Sequence, residues 1–191
     1  MAQPGGNALP QIQIPHLVTD PIWALQPWAV TVDLGALELE IPALPAAAWL
    51  AVLMRPDWTL DDILPGLLSA KDDDVFADAI LDGILDLEAF EAICLDVLAT
   101  VSARPWYVAL RLISVATRSW DAIGGELAMR GVDAGRLSLA AWLDATHLIM
   151  QRNMKPESLT MFHLQLELPP QGEQAKLEDT SRDQFLGMMG D

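Results

Sequence analysis

Cysteine is almost missing from this chain: among 191 residues Cys94 stands alone, so no intramolecular disulfide can form and the fold must hold by packing. Histidine is scarce as well. His16, His147 and His163 are the three present, none lies at the i, i+4 spacing of a helical metal site, and none has a second histidine or a cysteine nearby. There is no GxSxG, no HExxH, no phosphate-cradling glycine loop and no dinucleotide fingerprint. These gaps remove the common catalytic kits. Cations are few: 11 Lys and Arg face 27 Asp and Glu, for a formal net charge of −16. A chain so acidic is repelled by naked nucleic acid and by anionic membrane. No apolar run reaches the length of a bilayer span, and the N-terminus, MAQPGGNALP, lacks the basic patch and apolar core of a signal peptide. A soluble, intracellular protein with no cofactor is the expectation.

What is abundant is apolar surface. Hydrophobic residues make up 52% of the chain, enough for one substantial core and too little length for two. Three regions are expected: a flexible N-terminal arm over 1–15, a single helical domain over 16–170, and a flexible acidic tail over 171–191. The fold class is mainly α, a helical bundle of about six to seven helices with a small N-terminal β-hairpin. The hairpin is read from 29–41. Val30, Val32, Leu37, Leu39 and Ile41 alternate with Thr31, Asp33, Glu38 and Glu40, the period of a half-buried strand, and Asp33-Leu34-Gly35 supplies a turn.

Helices follow. Ala46 to Met54 is apolar nearly all round, which predicts burial between other elements. Thr59 and Asp62 stand at capping-box spacing. Asp72, Asp73 and Asp74 open a helix whose apolar face is Val75, Phe76, Ala79, Ile80 and Ile84, with Asp74, Asp78 and Asp82 on its other side. Gly83 ends or weakens it. Asp86 is a candidate cap for a helix from Leu87 to Ser102, with Leu87, Phe90, Cys94, Val97, Leu98 and Val101 on its buried face. The Asp72–Asp74 run, with Asp78 and Asp82, admits two readings: a carboxylate site for a divalent cation, or a capped and solvated helix face. An EF-hand glycine and terminal glutamate are absent, and the solvated face is the plainer reading.

The stretch from Arg104 to Met154 is the densest in signals. Pro105 opens one long helix in which Trp106, Leu110, Ile113, Trp120, Ile123 and Leu127 recur at helical spacing. Gly124-Gly125 implies either a bend or a closely approaching backbone, and Gly131 a stop. Ser138 caps a further helix that buries Leu139, Trp142, Leu143, Thr146 and Met150, with His147 at its boundary. Pro156 begins a last short helix to about Leu166. Trp106, Trp120 and Trp142 have core spacing, whereas Trp23, Trp28, Trp49 and Trp58 lie in or near the proline-broken part and include candidate partner-facing anchors.

Charge is distributed unevenly along the chain. Between Asp57 and Val97 there are 12 acidic residues and a single basic one, Lys71, whereas from Arg104 to Lys155 there are seven basic and four acidic. Arg104, Arg111 and Arg118, seven apart, stack along one stripe. They can pair with the acidic helices of the same chain, with acids on a second copy in a homo-oligomer, or with an acidic partner. In the tail, Phe185, Leu186 and Met188 form a small apolar cluster of the kind used as a short linear binding motif. These six residues are the candidate contact residues. No residue is assigned to catalysis, cofactor binding or metal ligation, the solvated face being preferred for the aspartate run.

Three segments together carry a resemblance: ALELEIPALPAAAWLAVL, WTLDDILPGLL, and the Arg-Pro-Trp helix with its GGELAMRGVDAGRLSLAAWLDA continuation. They resemble the tail assembly chaperones of long-tailed, siphovirus-type phages that infect actinobacteria, over roughly Val30 to Pro170 with an echo in SRDQFLGMMG. The resemblance implies a non-enzymatic protein of the host cytoplasm during infection, absent from the mature virion. It would bind the tape measure protein, keep it soluble and help recruit the major tail protein around it. It also implies a frameshifted longer form, whose extension would attach at 171–191. It transfers no binding residue. The alternative is a structural virion protein, such as a connector, tail or decoration subunit.

Overall fold

The computed structural model describes residues 11–13, 27–33, 38–64, 67, 70–83 and 85–172. Period-two alternation produces the expected hairpin: β2 (Val30–Asp33) pairs antiparallel with β3 (Glu38–Ile41), Val30 opposite Ile41 and Val32 opposite Leu39. Those four side chains are buried while Glu40 is exposed, so one face of the hairpin is core and the other is wet. The predicted turn around Gly35 lies outside the described residues. The N-terminal arm needs a correction. Gln11–Gln13 forms β1 and pairs antiparallel with β2, Ile12 opposite Val32, giving a sheet in the order β1-β2-β3. A two-stranded ribbon is marginal in water, and a third strand satisfies the backbone groups on the outer side of β2.

Seven α-helices follow among the described residues, so the mainly α class with a small β element holds. They are α1 (Ala46–Leu53), α2 (Ala70–Leu81), α3 (Leu87–Ser102), α4 (Trp106–Arg118), α5 (Trp120–Met129), α6 (Leu139–Asn153) and α7 (Pro156–Glu167). Their ends follow local chemistry. The Asp86 carboxylate accepts from the Ala89 N–H at 2.8 Å and Ser138 Oγ from the Ala141 N–H at 3.1 Å, both as predicted. Gly83 and Gly131 leave α2 and α5 with φ of +68° and +71°, a conformation in which a side chain is strained. Ala103 ends α3 in the same left-handed region, at φ 51°, without being glycine.

The core is built where α3, α4 and α6 pack on one another, with α1 against α4 and α6 and with β2 laid on α3. Trp49 and Trp142 are its largest fully buried side chains, joined by Phe76, Ile93, Leu98 and Leu112. Each such side chain stabilises the fold by roughly 1.5–3 kcal/mol relative to exposure. Cys94 is buried among them as a small hydrophobe. The α6 face appears as read: Leu139, Trp142, Leu143, Thr146 and Met150 are all buried.

Several expectations are overturned. The long helix from Pro105 is two helices, broken at Ser119 (φ −123°, ψ 23°) and not at the glycine pair. Gly124 and Gly125 lie inside α5, and a Cβ at either would meet open space, so no backbone approaches there. The break turns Trp120 toward Trp142, with ring centroids 6.1 Å apart. The buried face of α4 is also rotated from the one expected. It consists of Val108, Ala109, Leu112, Ile113 and Ala116, where small alanines admit close helix packing, while Trp106 and Leu110 sit half-buried on its shoulder. Leu87, at the first position of α3, is exposed. The tryptophans sort differently too: Trp49 is core, and Trp120 is 42% exposed.

The chain divides into two compact units, Met1–Asn153 and Met154–Asp191, where a single domain to residue 170 was expected. The division falls just before Pro156, which cannot continue α6 and instead supplies the first residue of α7.

Candidate partner-binding surfaces

The end of α1 and the outer side of α4 enclose an open groove of about 700 Å³. Leu53, Met54, Trp58, Leu110 and Ile113 give it an apolar lining, and Arg55, Arg111 and Arg118 supply its basic residues. Two smaller hollows share its walls. One of about 300 Å³ lies over Ala47, Ala51, Met54 and Trp120; the other, of about 560 Å³, runs from Thr117 past Arg118 to Trp120. Burial between other elements, expected of this apolar helix, holds for Ala46, Trp49, Leu50, Val52 and Leu53, whereas its Ala47 and Ala51 side is open.

Local chemistry fixes the rim. Thr59 donates its backbone N–H at 2.8 Å and its hydroxyl at 3.2 Å to Asp62 Oδ2, closing the 3-10 turn Leu60–Asp62 as the capping-box spacing predicted. The Thr59 backbone N–H holds the Asp62 carboxyl below the usual carboxylate range, partly opposed by desolvation and aided by the Thr59 hydroxyl and the Arg55 charge. Arg55 Nη2 lies 3.5 Å from Asp62 Oδ1 and Arg55 Nε 3.7 Å from Asp57, so the guanidinium is tethered at the groove mouth. The lowered pKa means that the Asp62 side of this tether is complete above the ordinary carboxylate pKa and is lost only as pH falls through the lowered value.

The structure separates the three predicted stripe arginines. Arg104, mostly buried, is ion-paired with Asp144 of α6. Its partner is thus on the same half of the chain and not on the acidic helices before it. The Arg111 guanidinium lies 5.4 Å from the centre of the Tyr107 ring, a cation–π contact, and lines the groove. Arg118, the last residue of α4, is exposed at the junction of two hollows. Only two of the three therefore face the groove. The third groove arginine, Arg55, escaped the sequence reading because it stands outside the seven-residue repeat. Its one signal is its place between a helix end and Pro56. Phe185, Leu186 and Met188, like the rest of 173–191, lie outside the described residues.

A second surface belongs to α7 by itself. Met161 and Leu164 of α7 and Leu168, its C-terminal cap residue, at steps of three and four, are 56%, 61% and 59% exposed, so they form an apolar stripe along one side. On α6, His147 is half-buried with its Nε2 3.1 Å from Gln151 Nε2, the boundary role predicted for it. Among the described residues no three His, Cys, Asp or Glu side chains come together as metal ligands, and no single helix is long and apolar enough to cross a membrane. Compared with models of protein families, with curated proteins and with solved structures, the chain matches none.

Proposed function

We propose that this chain is a non-enzymatic tail assembly chaperone of a long-tailed phage. In this reading it binds the tape measure protein in the host cytoplasm, keeps it soluble and promotes assembly of the tail tube around it. Two lines support the reading. One is the resemblance of the segments around the hairpin, Trp58 and Trp106 to that family. The other is a surface suited to a long helical client, and its carrying observation is the exposed Met161–Leu164–Leu168 stripe on α7. Such a stripe pairs with an amphipathic helix through anchors at i, i+3 and i+7. The net charge of −16 favours solubility of a complex whose client is apolar.

Co-expression with a tape measure protein tests the proposal. The client stays in the soluble fraction with the unaltered chain and precipitates when Met161, Leu164 and Leu168 are all changed to Ser. Equal precipitation with and without this chain overturns the reading. Mass spectrometry of purified particles addresses the structural alternative, because stoichiometric presence in the virion assigns the chain to the particle and not to its assembly.

A further inference from the structure

Met161, Leu164 and Leu168 span about 10 Å along α7, and each is more than half exposed. An apolar row left in water attracts any apolar surface that it meets. The same chain holds a second apolar group. Over 173–191 the large apolar residues are Leu177, Phe185, Leu186, Met188 and Met189, so four of the five fall within 185–189. That cluster lies outside the described residues, but its point of attachment does not. α7 ends at Glu167, residues 168–170 break the helix with two prolines, and helical conformation resumes at Gln171 and Gly172. The second compact unit runs from Met154 to Asp191, so stripe and cluster belong to the same unit.

We propose that residues 185–189 lie over the Met161–Leu164–Leu168 stripe of the same chain when no partner is bound, and that a partner must displace them. The length of chain permits it. Phe185 follows Gly172 by 13 positions, which span at most about 45 Å, several times the length of the stripe. A tether of this length presents its end at an effective concentration on the order of millimolar, so a weak contact suffices to hold the cover in place. A second copy is the poorer occupant. Three exposed side chains fall far short of the roughly 800 Å² per partner that a stable interface buries, and a free copy bears the full entropic cost of association, which a tethered segment largely avoids. The displacement rests on the chaperone reading; the contact itself does not. A client meets a stripe that is open only part of the time, so its affinity falls by the covered fraction. Partners with a long row of anchors then open the stripe, and chance apolar contacts do not.

Thiol accessibility in the full chain tests the cover. Cys94 is buried, so a cysteine placed on α7 is the fast-reacting thiol toward dithionitrobenzoate. Leu164→Cys reacts at least threefold faster once Phe185, Leu186, Met188 and Met189 are all changed to Ser. Met161→Cys, a second reporter, shows the same ratio. Ala122→Cys, at an exposed position of α5, reacts equally in both backgrounds. Rates at 161 and 164 that ignore the tail substitutions overturn the proposal. So does protection that fades on dilution, which assigns the cover to a second copy, and so does acceleration at Ala122→Cys, which marks a general loosening. No client is present in this measurement. Its failure therefore strikes the cover and leaves the chaperone reading to the co-expression test, and failure there leaves the cover standing.

Discussion

Helices α6 and α2 are close in length and opposite in use. Of the 15 residues of α6, eight are buried, and four helices, α1, α3, α4 and α5, pack on it. Of the described side chains of α2, Phe76 and Ala79 are buried and Asp73 and Val75 half-buried, while Asp74, Ala77, Asp78, Ile80 and Leu81 are exposed. Both begin from strong local signals, a serine cap in one and a run of carboxylates in the other. What separates them is the width of the apolar stripe. A wide stripe makes a helix part of the scaffold; a narrow one held by a single aromatic contact leaves most of the helix available to something else.

That contrast can be broken experimentally, most forcibly at Trp142. Trp142→Ala removes the largest buried side chain of α6 and is expected to cost about 3–5 kcal/mol, unfolding the first unit as a whole in urea titration. Phe76→Ala is expected to cost about 3 kcal/mol, felt locally. Hydrogen exchange should accelerate throughout α2 while the amides of α6 remain protected; equal acceleration in both helices would show that α2 is scaffold after all. Asp86→Ala deletes the cap of α3, the helix that α2 rests on, and should lower stability by about 1 kcal/mol. Thr146→Val acts in the other direction. Thr146 Oγ1 is buried in α6 with no hydrogen-bond partner, so an isosteric methyl should raise stability by about 1 kcal/mol and the melting temperature with it. Smallest of all, Leu81→Ser on the open face of α2 should stay within about 0.5 kcal/mol of the parent. A large loss there would mean that the residue is covered in the isolated chain.

The same contrast explains how much of the fold was legible in the sequence. Strong periodicity with a clear cap, as in α6, gave the helix, its buried face and its boundary histidine. The hairpin was legible because alternation with period two admits only one face inward. Reading failed where apolar residues were plentiful enough to fit more than one face. On α4, Trp106, Leu110 and Ile113 match helical spacing, yet the alanines at 109 and 116 decide which side can approach its neighbours closely. At Ser119 nothing in the period signals a break, since the Trp120–Trp142 contact that accompanies it spans 22 positions in sequence. β1 was invisible because three residues between prolines carry too short a pattern to distinguish a strand from an extended arm. Of the candidate surfaces, the arginine repeat located two groove residues and included one, Arg104, that belongs to an internal ion pair. The groove itself depends on where the end of α1 meets α4, which no local pattern encodes.

One of the two edge strands of the sheet, β3, carries a further consequence. β3 is four residues long, ends against Pro42 and exposes Glu40. An unprotected edge is a template for adding strands from other molecules; brevity, a proline stop and a charge each discourage that. Crowding many copies together therefore carries little risk of fibrillar growth through β3. A protein with such a guarded rim can work at high local concentration and still come apart when its task is done.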